Sequence, residues 1–199
     1  MSLFGLEHKE DFVGITNRMI TPVESTVTLS VWIVKGCAKV GKTCYIDTER
    51  GVAEVQIVAI ETVDGYTLEA NANTETLITF AGFPKNVVVP WKSIVSTKGF
   101  TIEEYSRLPF EMIVDDTIRY NGECVLVGRI YQGTIRRDDR IKISNDKLDY
   151  ETLVENIERL KEYYETMSYG EFCSLILYRV PENIRLQITE GSRVTVVLE

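Results

Sequence analysis

Residues 36–43 have the sequence GCAKVGKT, which matches the spacing of a phosphate-binding loop. In such loops the lysine and several backbone N–H groups surround a phosphate at the amino end of a helix. An apolar run precedes the string, and residues 112–116 (MIVDD) are similar to the acidic strand of the same sites. After Thr43, however, the chain continues in a strand pattern, with no amphipathic helix. We therefore predict a hairpin turn that binds no nucleotide, at Gly36, Gly41, Lys42 and Thr43.

Other groups that could perform catalysis are sparse. The one histidine, His8, lies near the amino terminus, so a serine or cysteine nucleophile has no evident base. The pairs Asp115-Asp116 and Asp138-Asp139 are adjacent, and neighbouring strand residues point to opposite faces, which favours exposed acids over an acid/base pair. The sequence thus predicts no catalytic residues, no cofactor and no enzyme activity.

The cysteines do not have the spacing of a metal site. None of the four forms a Cys-x-x-Cys pair, and zinc needs closely spaced soft ligands. We predict reduced, mostly buried thiols and no metal at Cys37, Cys44, Cys124 and Cys173.

Basic side chains are concentrated in residues 129–142. If residues 140–142 belong to a strand, the side chains of Arg140 and Lys142 lie on the same face, and we expect Arg129 beside them. This patch is a candidate for binding RNA phosphate or an acidic partner, although Asp138 and Asp139 favour a solvated, salt-bridged surface. The net charge of −8 lowers the expectation of nucleic-acid binding, and we expect no DNA partner. The patch comprises Arg129, Arg136, Arg137, Arg140 and Lys142.

The elements that would position these groups are repeated. A shift of 97 residues, without a gap, superimposes residues 29–86 on residues 126–183 and gives ten identical pairs, where random pairing would give about four. The pairs are Leu29/Leu126, Ile33/Ile130, Gly36/Gly133, Ile46/Ile143, Glu54/Glu151, Ile60/Ile157, Glu61/Glu158, Tyr66/Tyr163, Pro84/Pro181 and Asn86/Asn183.

Each copy has the pattern of a β-domain. Short runs rich in β-branched and aromatic residues alternate with Gly, Asn or Asp turns, as in a small sandwich or barrel. We predict an all-β chain with one six-stranded barrel in residues 1–98 and a second in 99–199. Residues 151–167 have apolar residues at helical spacing, but the repeat aligns them with a hairpin in the first copy, so we predict a strand, a turn and a strand.

The second copy resembles a known family. Residues 109–143 are similar to domain 2 of elongation factor Tu and its relatives in Pro109-Phe110, Asn121-Gly122, Gly128-Arg129-Ile130, Gly133 and Arg137-Asp138-Asp139. Through the repeat, the resemblance extends to about residues 20–95. It implies two tandem six-stranded Greek-key barrels of the translation-factor type, without a GTPase domain. The family's tRNA-binding positions are not matched cleanly, so the resemblance implies no such pocket here.

Three functions are compatible with these features. The leading one is a non-enzymatic binding or adaptor module that docks onto a protein or ribonucleoprotein. The alternatives are direct RNA or ribosome binding through residues 129–142, and a tandem-barrel enzyme for a small ligand of the flavin type, which rests on layout alone. Because no apolar run is long enough for a membrane helix and the amino terminus lacks a basic flank, we expect a cytoplasmic protein without a membrane partner.

Overall fold

The computed structural model describes residues 11–18, 25–120 and 122–197. His8 and Asn121, which the sequence analysis singled out, lie outside these residues. Two closed, all-antiparallel barrels, joined by a short helix, account for most of the described chain. No helix in the described ranges is both long and apolar enough to cross a membrane.

The first barrel is closed by six strands. Their order around the ring is β4-β9-β1-β2-β8-β5, and pairing of β4 with β5 closes it. A three-residue strand, β6, extends β5 as a hairpin, while β3 pairs with β7 outside the ring. The strands are β1 (Val13–Thr16), β2 (Thr26–Lys35), β3 (Cys37–Lys39), β4 (Thr43–Thr48), β5 (Gly51–Thr62), β6 (Gly65–Thr67), β7 (Glu69–Asn71), β8 (Thr74–Ala81) and β9 (Ile94–Ser96).

The second barrel has the same topology. Its ring order is β13-β18-β10-β11-β17-β14, closed by β13 and β14, with β15 extending β14 and β12 pairing with β16. The elements are α1 (Ile102–Ser106), β10 (Glu111–Tyr120), β11 (Glu123–Gln132), β12 (Thr134–Arg136), β13 (Arg140–Ser144), β14 (Asp149–Arg159), β15 (Glu162–Tyr164), β16 (Thr166–Ser168), β17 (Phe172–Leu177), α2 (Glu182–Arg185) and β18 (Arg193–Val196). The predicted fold of two tandem six-stranded barrels is confirmed.

The 97-residue repeat is a repeat of structure. Strands β2, β3, β6 and β7 begin and end at positions whose equivalents begin and end β11, β12, β15 and β16. Gly36 and Gly133 both have positive φ, 73° and 70°. A β-carbon there would lie well inside contact distance of the backbone of residues 11 and 108 respectively, so both turns require glycine.

The helical spacing in residues 151–167 does not mark a buried face, because Leu153 is 42% and Leu160 85% exposed. The buried positions of β14 follow a β-bulge instead. Val154 and Ile157 are both buried although they are three residues apart, because the β14–β17 register shifts between Val154 and Asn156. Because a bulge adds one residue to the strand, two successive inward-facing residues are three positions apart instead of two. The first barrel has the same shift between Ile57 and Ala59. The strand-turn-strand prediction is therefore confirmed.

In each barrel a glycine on one strand makes room for a large side chain on the paired strand, but the strand that carries the glycine differs between the two barrels. In the first barrel Val31 of β2 is fully buried, and a β-carbon on Gly14 of β1 would lie 2.4 Å from its side chain. In the second barrel the small residue is on β11 instead. A β-carbon on Gly128, the equivalent of Val31, would lie 2.8 Å from the Met112 side chain of β10. The larger side chain is thus on β2 in the first barrel and on β10 in the second, and the glycine on the paired strand makes room for it.

The chain divides into two compact units between Glu104 and Tyr105. The boundary predicted between residues 98 and 99 lies six residues before this division, in a segment that is hydrogen-bonded to the first barrel. There the Gly99 N–H donates to Ser96 Oγ, and the Ile102 N–H donates to the buried Asp47 carboxylate at 3.0 Å. On the other side of the division, Tyr105 is buried in the second barrel and donates its hydroxyl to the Tyr131 carbonyl.

Candidate binding surfaces

The phosphate-loop string lies in two strands and a turn. Residues 37–39 form β3, and Thr43 begins β4, so no helix follows the loop. The N–H groups that would have to surround a phosphate are already used. Those of Val40, Gly41 and Lys42 donate to the carbonyls of Leu68, Ile57 and Lys39 respectively. In this conformation the segment offers a phosphate neither a nest of free N–H groups nor a helix dipole. That Gly36, Gly41, Lys42 and Thr43 bind no nucleotide stays a prediction.

A small cavity lies beside this turn. It has a volume of about 80 Å³, and Cys37, Cys44, Lys39 and Lys42 contribute to its lining. Sites for drug-sized ligands are roughly 300–1,000 Å³, so this one is much smaller. Lys39 is ion-paired with Glu69 at 3.5 Å, which partly neutralises the lining.

The four thiols are free, and three of them are buried. Burial raises the pKa of Cys44 and Cys173 to about 12, and raises that of Cys37 and Cys124 as well. None is therefore an activated thiolate. Among the residues that the structure describes, no group of three His, Cys, Asp or Glu side chains could hold a metal ion.

The paired acids support turns and bulges. Asp139 accepts a hydrogen bond from the Arg136 N–H at 2.7 Å and so fastens its own turn, while Asp138 occupies a left-handed position at φ 67°. Asp116 accepts from the Thr117 N–H next to the β10 bulge. Desolvation raises the pKa of Asp115, and the charge of Arg129 partly offsets this. The two pairs thus hold local structure.

The structure separates the predicted basic patch. Arg140 and Lys142 alternate with the buried Ile141 and Ile143, so they share the outer face of β13. The expectation that Arg129 lies beside them is wrong. It is on β11, three places from β13 in the closed ring, where it faces Ile113 and Phe172 on the neighbouring strands. A barrel of only six strands carries non-neighbouring strands to opposite sides.

Acidic neighbours also neutralise this patch. Lys142 forms an ion pair with Asp149 at 2.8 Å and faces Glu151 on β14. Arg137 is paired with Glu165 at 3.7 Å. Arg136 is exposed at the end of β12. RNA or partner binding by Arg129, Arg136, Arg137, Arg140 and Lys142 stays a prediction, and the ion pairs weaken its electrostatic basis.

Each barrel instead has an exposed apolar hairpin end. In hairpin 1, residues 58–68, the turn residue Val63 is 99% exposed, Tyr66 80% and Leu68 78%. Tyr66 lies directly opposite Glu61 across β5 and β6, and Glu61 lies opposite Leu77 of β8. Residues directly opposite in an antiparallel pair share a face, so an aromatic ring, a carboxylate and an aliphatic side chain form one outward row.

Hairpin 2, residues 155–165, repeats the tyrosine–glutamate pair of this row, with Ser174 in the place of Leu77. Its turn residue Leu160 is 85% exposed and Tyr163 is 68% exposed, with Tyr163 directly opposite Glu158. Leu160 and Lys161 both have positive φ, 53° and 67°, which is the conformation of a type I′ turn. Such turns strongly prefer Asn-Gly, so a leucine and a lysine there are strained. Tyr163 and Glu158 occupy the positions of Tyr66 and Glu61.

Neither hairpin was predicted as a site from the sequence. A usable signal was present in the repeat. Among the ten identical pairs, Glu61/Glu158 and Tyr66/Tyr163 belong to the hairpins, where a requirement for core packing does not explain an identical tyrosine.

No family model and no curated protein matches this chain. Solved structures do match. GDP-bound aIF5B from Aeropyrum pernix aligns with 94% of this chain and 54% of its own, at 8% identity and a TM-score of 0.36. The apo form of translation elongation factor SelB from Methanococcus maripaludis aligns with 96% of this chain and 36% of its own, at 12% identity and a TM-score of 0.39.

This chain therefore spans about half or less of the length of these two structures. At identities of 8 and 12%, neither match transfers a function. The architecture itself rests on the strand pairings, which close both rings. In fold, the chain is a tandem of two closed six-stranded antiparallel barrels.

Proposed function

We propose that the protein is a non-enzymatic binding module that docks onto a protein or ribonucleoprotein partner. The observation that carries this proposal is the exposed apolar end of each barrel hairpin, above all Val63, Tyr66 and Leu160. Apolar side chains grouped in this way on a soluble surface mark interaction sites more often than solitary exposed residues do.

The interiors of the barrels also support a binding role. The rings are filled by buried aliphatic and aromatic side chains such as Ile33, Ile46, Phe80, Leu126 and Ile143. A small barrel that is packed in this way presents its surface, rather than its lumen, to a partner. The resemblance of residues 109–143 to translation factors makes the translation machinery the first source of partners to test.

Direct RNA binding by the basic patch is the weaker alternative. Two of its five basic residues, Arg137 and Lys142, are engaged by carboxylates, and Arg129 lies three strands from β13. Affinity for RNA depends on basic groups that displace counterions from phosphates. We therefore expect Arg136→Glu/Arg137→Glu to leave partner binding unchanged.

A capture experiment tests the proposal. The tagged full chain is incubated with lysate of its native host, with and without ribonuclease, and bound proteins and RNA are identified against a tag-only control. We expect specific protein recovery, which survives ribonuclease for a protein partner and falls for a ribonucleoprotein. Recovery no greater than that of the tag alone would refute the binding function.

A further inference from the structure

We propose that hairpins 1 and 2 are two equivalent docking sites for an arginine-bearing segment of a partner protein. This inference rests on the proposed binding function and names the chemistry of the partner. Tyr66 with Glu61, and Tyr163 with Glu158, are the residues that would receive the arginine.

The cross-strand pairs define the ligand. In each hairpin a tyrosine ring and a carboxylate stand directly opposite one another on the outward face. A guanidinium can form an ion pair with a carboxylate while it stacks on an aromatic ring, and its planar shape suits both contacts better than an ammonium group does. The tyrosine–glutamate pair recurs 97 residues later, so each barrel has its own copy of it.

The apolar neighbours add a second element of recognition. Val63 and Leu68 flank Tyr66 in hairpin 1, and Leu160 lies at the turn of hairpin 2, all of them largely exposed. An aliphatic residue next to the arginine would cover them and remove apolar surface from water. The ligand is thus a segment in which basic and aliphatic side chains lie close together.

The charge of the hairpins favours a basic protein over RNA. Hairpin 1 contains two acidic residues, Glu61 and Asp64, and no basic one. Hairpin 2 contains four acidic and two basic residues. One of each kind is ion-paired outside the hairpin, Arg159 with Glu171 and Glu165 with Arg137. Each hairpin therefore has a net charge of −2, since 0 − 2 and 2 − 4 both equal −2. This charge attracts a cationic segment and repels phosphates.

The strained turn of hairpin 2 also supports a docking site there. Leu160 and Lys161 are held at positive φ although Asn-Gly would adopt this turn without strain. Strained and exposed apolar residues of this kind concentrate where a protein meets a ligand. Packing within the barrel does not explain Leu160, since its side chain is 85% exposed.

The test uses the full chain and three labelled probes. These are a 12-residue peptide of repeated Arg-Ser-Leu, its Glu-Ser-Leu counterpart, and a 12-nucleotide single-stranded RNA. Binding is followed by fluorescence anisotropy at physiological salt. We expect the arginine peptide to bind, and the acidic peptide and the RNA to bind far more weakly.

The variants preserve net charge. Tyr66→Ser/Tyr163→Ser removes both rings and should weaken arginine-peptide binding about fivefold or more, the loss typical of a cation–π contact. Tyr66→Phe/Tyr163→Phe keeps the rings and should bind like the wild type. The matched control Trp91→Ser/Leu186→Ser removes two exposed apolar side chains elsewhere, one from each barrel, and should also bind like the wild type.

The outcomes separate this inference from the proposed function. Peptide binding that is absent in the wild type, or equal in the wild type and the serine variant, overturns the inference. RNA binding that is lost in the serine variant overturns it too, in favour of a nucleic-acid surface. If the serine variant still captures the wild-type set of lysate partners, the hairpin inference fails while the binding function stands. If the wild type captures none, the proposed function fails.

Discussion

A β-carbon added at Gly128 would lie 2.2 Å from the carbonyl oxygen of Ile113 on the neighbouring strand. Gly128→Ala must therefore push apart β10 and β11, and we expect it to lower the free energy of unfolding by about 2–3 kcal/mol. Urea unfolding followed by circular dichroism measures the change.

Gly191→Ala is the control for this substitution. Gly191 has positive φ, 82°, but a β-carbon there meets no atom within 4 Å, so only the backbone conformation opposes alanine. That conformation costs about 1 kcal/mol. Equal losses in the two variants would show that the strand contact at Gly128 does not matter.

Substitutions in the turn of hairpin 2 should increase the stability of the protein. Leu160→Asn/Lys161→Gly replaces two residues at positive φ by the pair that prefers a type I′ turn, and we expect a gain of about 1 kcal/mol in unfolding free energy. The equivalent change in hairpin 1, Val63→Asn/Asp64→Gly, is the matched control. Neither Val63 nor Asp64 has positive φ, so it should give no comparable gain. A gain in hairpin 1 alone would contradict the assigned turn geometry.

Stability should fall in alkaline solution because of the buried thiols. Burial raises the pKa of Cys44 and Cys173 from 9.0 to about 12. The unfolded chain ionises these thiols above pH 9 while the folded barrels keep them protonated. Their contribution is therefore complete below pH 9 and is lost as the pH rises towards 12. The slope is about 1.4 kcal/mol per pH unit for each thiol.

Urea unfolding between pH 8 and pH 11 measures this slope. Cys44→Ala/Cys173→Ala should be less stable at pH 8 because of the cavities it creates, but its stability should fall less steeply with pH. The raised pKa of Tyr105 and Tyr131 contributes equally to both proteins. Parallel slopes would mean that the two thiols do not ionise on unfolding.

The phosphate-loop string should be inert towards nucleotides. Because the N–H groups of Val40, Gly41 and Lys42 are bonded to carbonyls, we expect millimolar ATP or GTP with magnesium to leave the melting temperature unchanged. Lys42→Ala should behave like the wild type in the same assay. Micromolar binding that disappears in Lys42→Ala would instead require the β3–β4 turn to rearrange into a phosphate site.

Runs of β-branched and aromatic residues predicted the β class of the fold, and the repeat was needed where local propensity was misleading. Residues 151–167 have the composition and spacing of a helix, and only their alignment with hairpin 1 indicated strands. The spacing was misleading because Leu153 and Leu160, which belong to it, are exposed, while the bulge between Val154 and Asn156 places Val154 and Ile157 inside. A bulge is a property of strand pairing and cannot be recognised in one strand alone.

The candidate sites were less predictable than the fold. Grouping Arg129 with Arg140 required knowledge of which strands are neighbours, and closure of the ring places β11 and β13 apart. The ion pair of Arg137 with Glu165 joins the ends of segments far apart in sequence. Exposure of Tyr66 and Tyr163 depends on how far β5 and β14 extend beyond their partners, which composition does not reveal.

The exchange of bulk between Gly14/Val31 and Met112/Gly128 affects how two such similar domains fold in one chain. Tandem repeats are prone to pair a strand of one copy with its counterpart from the other. A hybrid that paired β1 with β11 would bring Gly14 next to Gly128 and leave an unfilled gap, whereas one that paired β10 with β2 would crowd Met112 against Val31. We therefore expect each copy to pair its own strands in preference to those of the other copy.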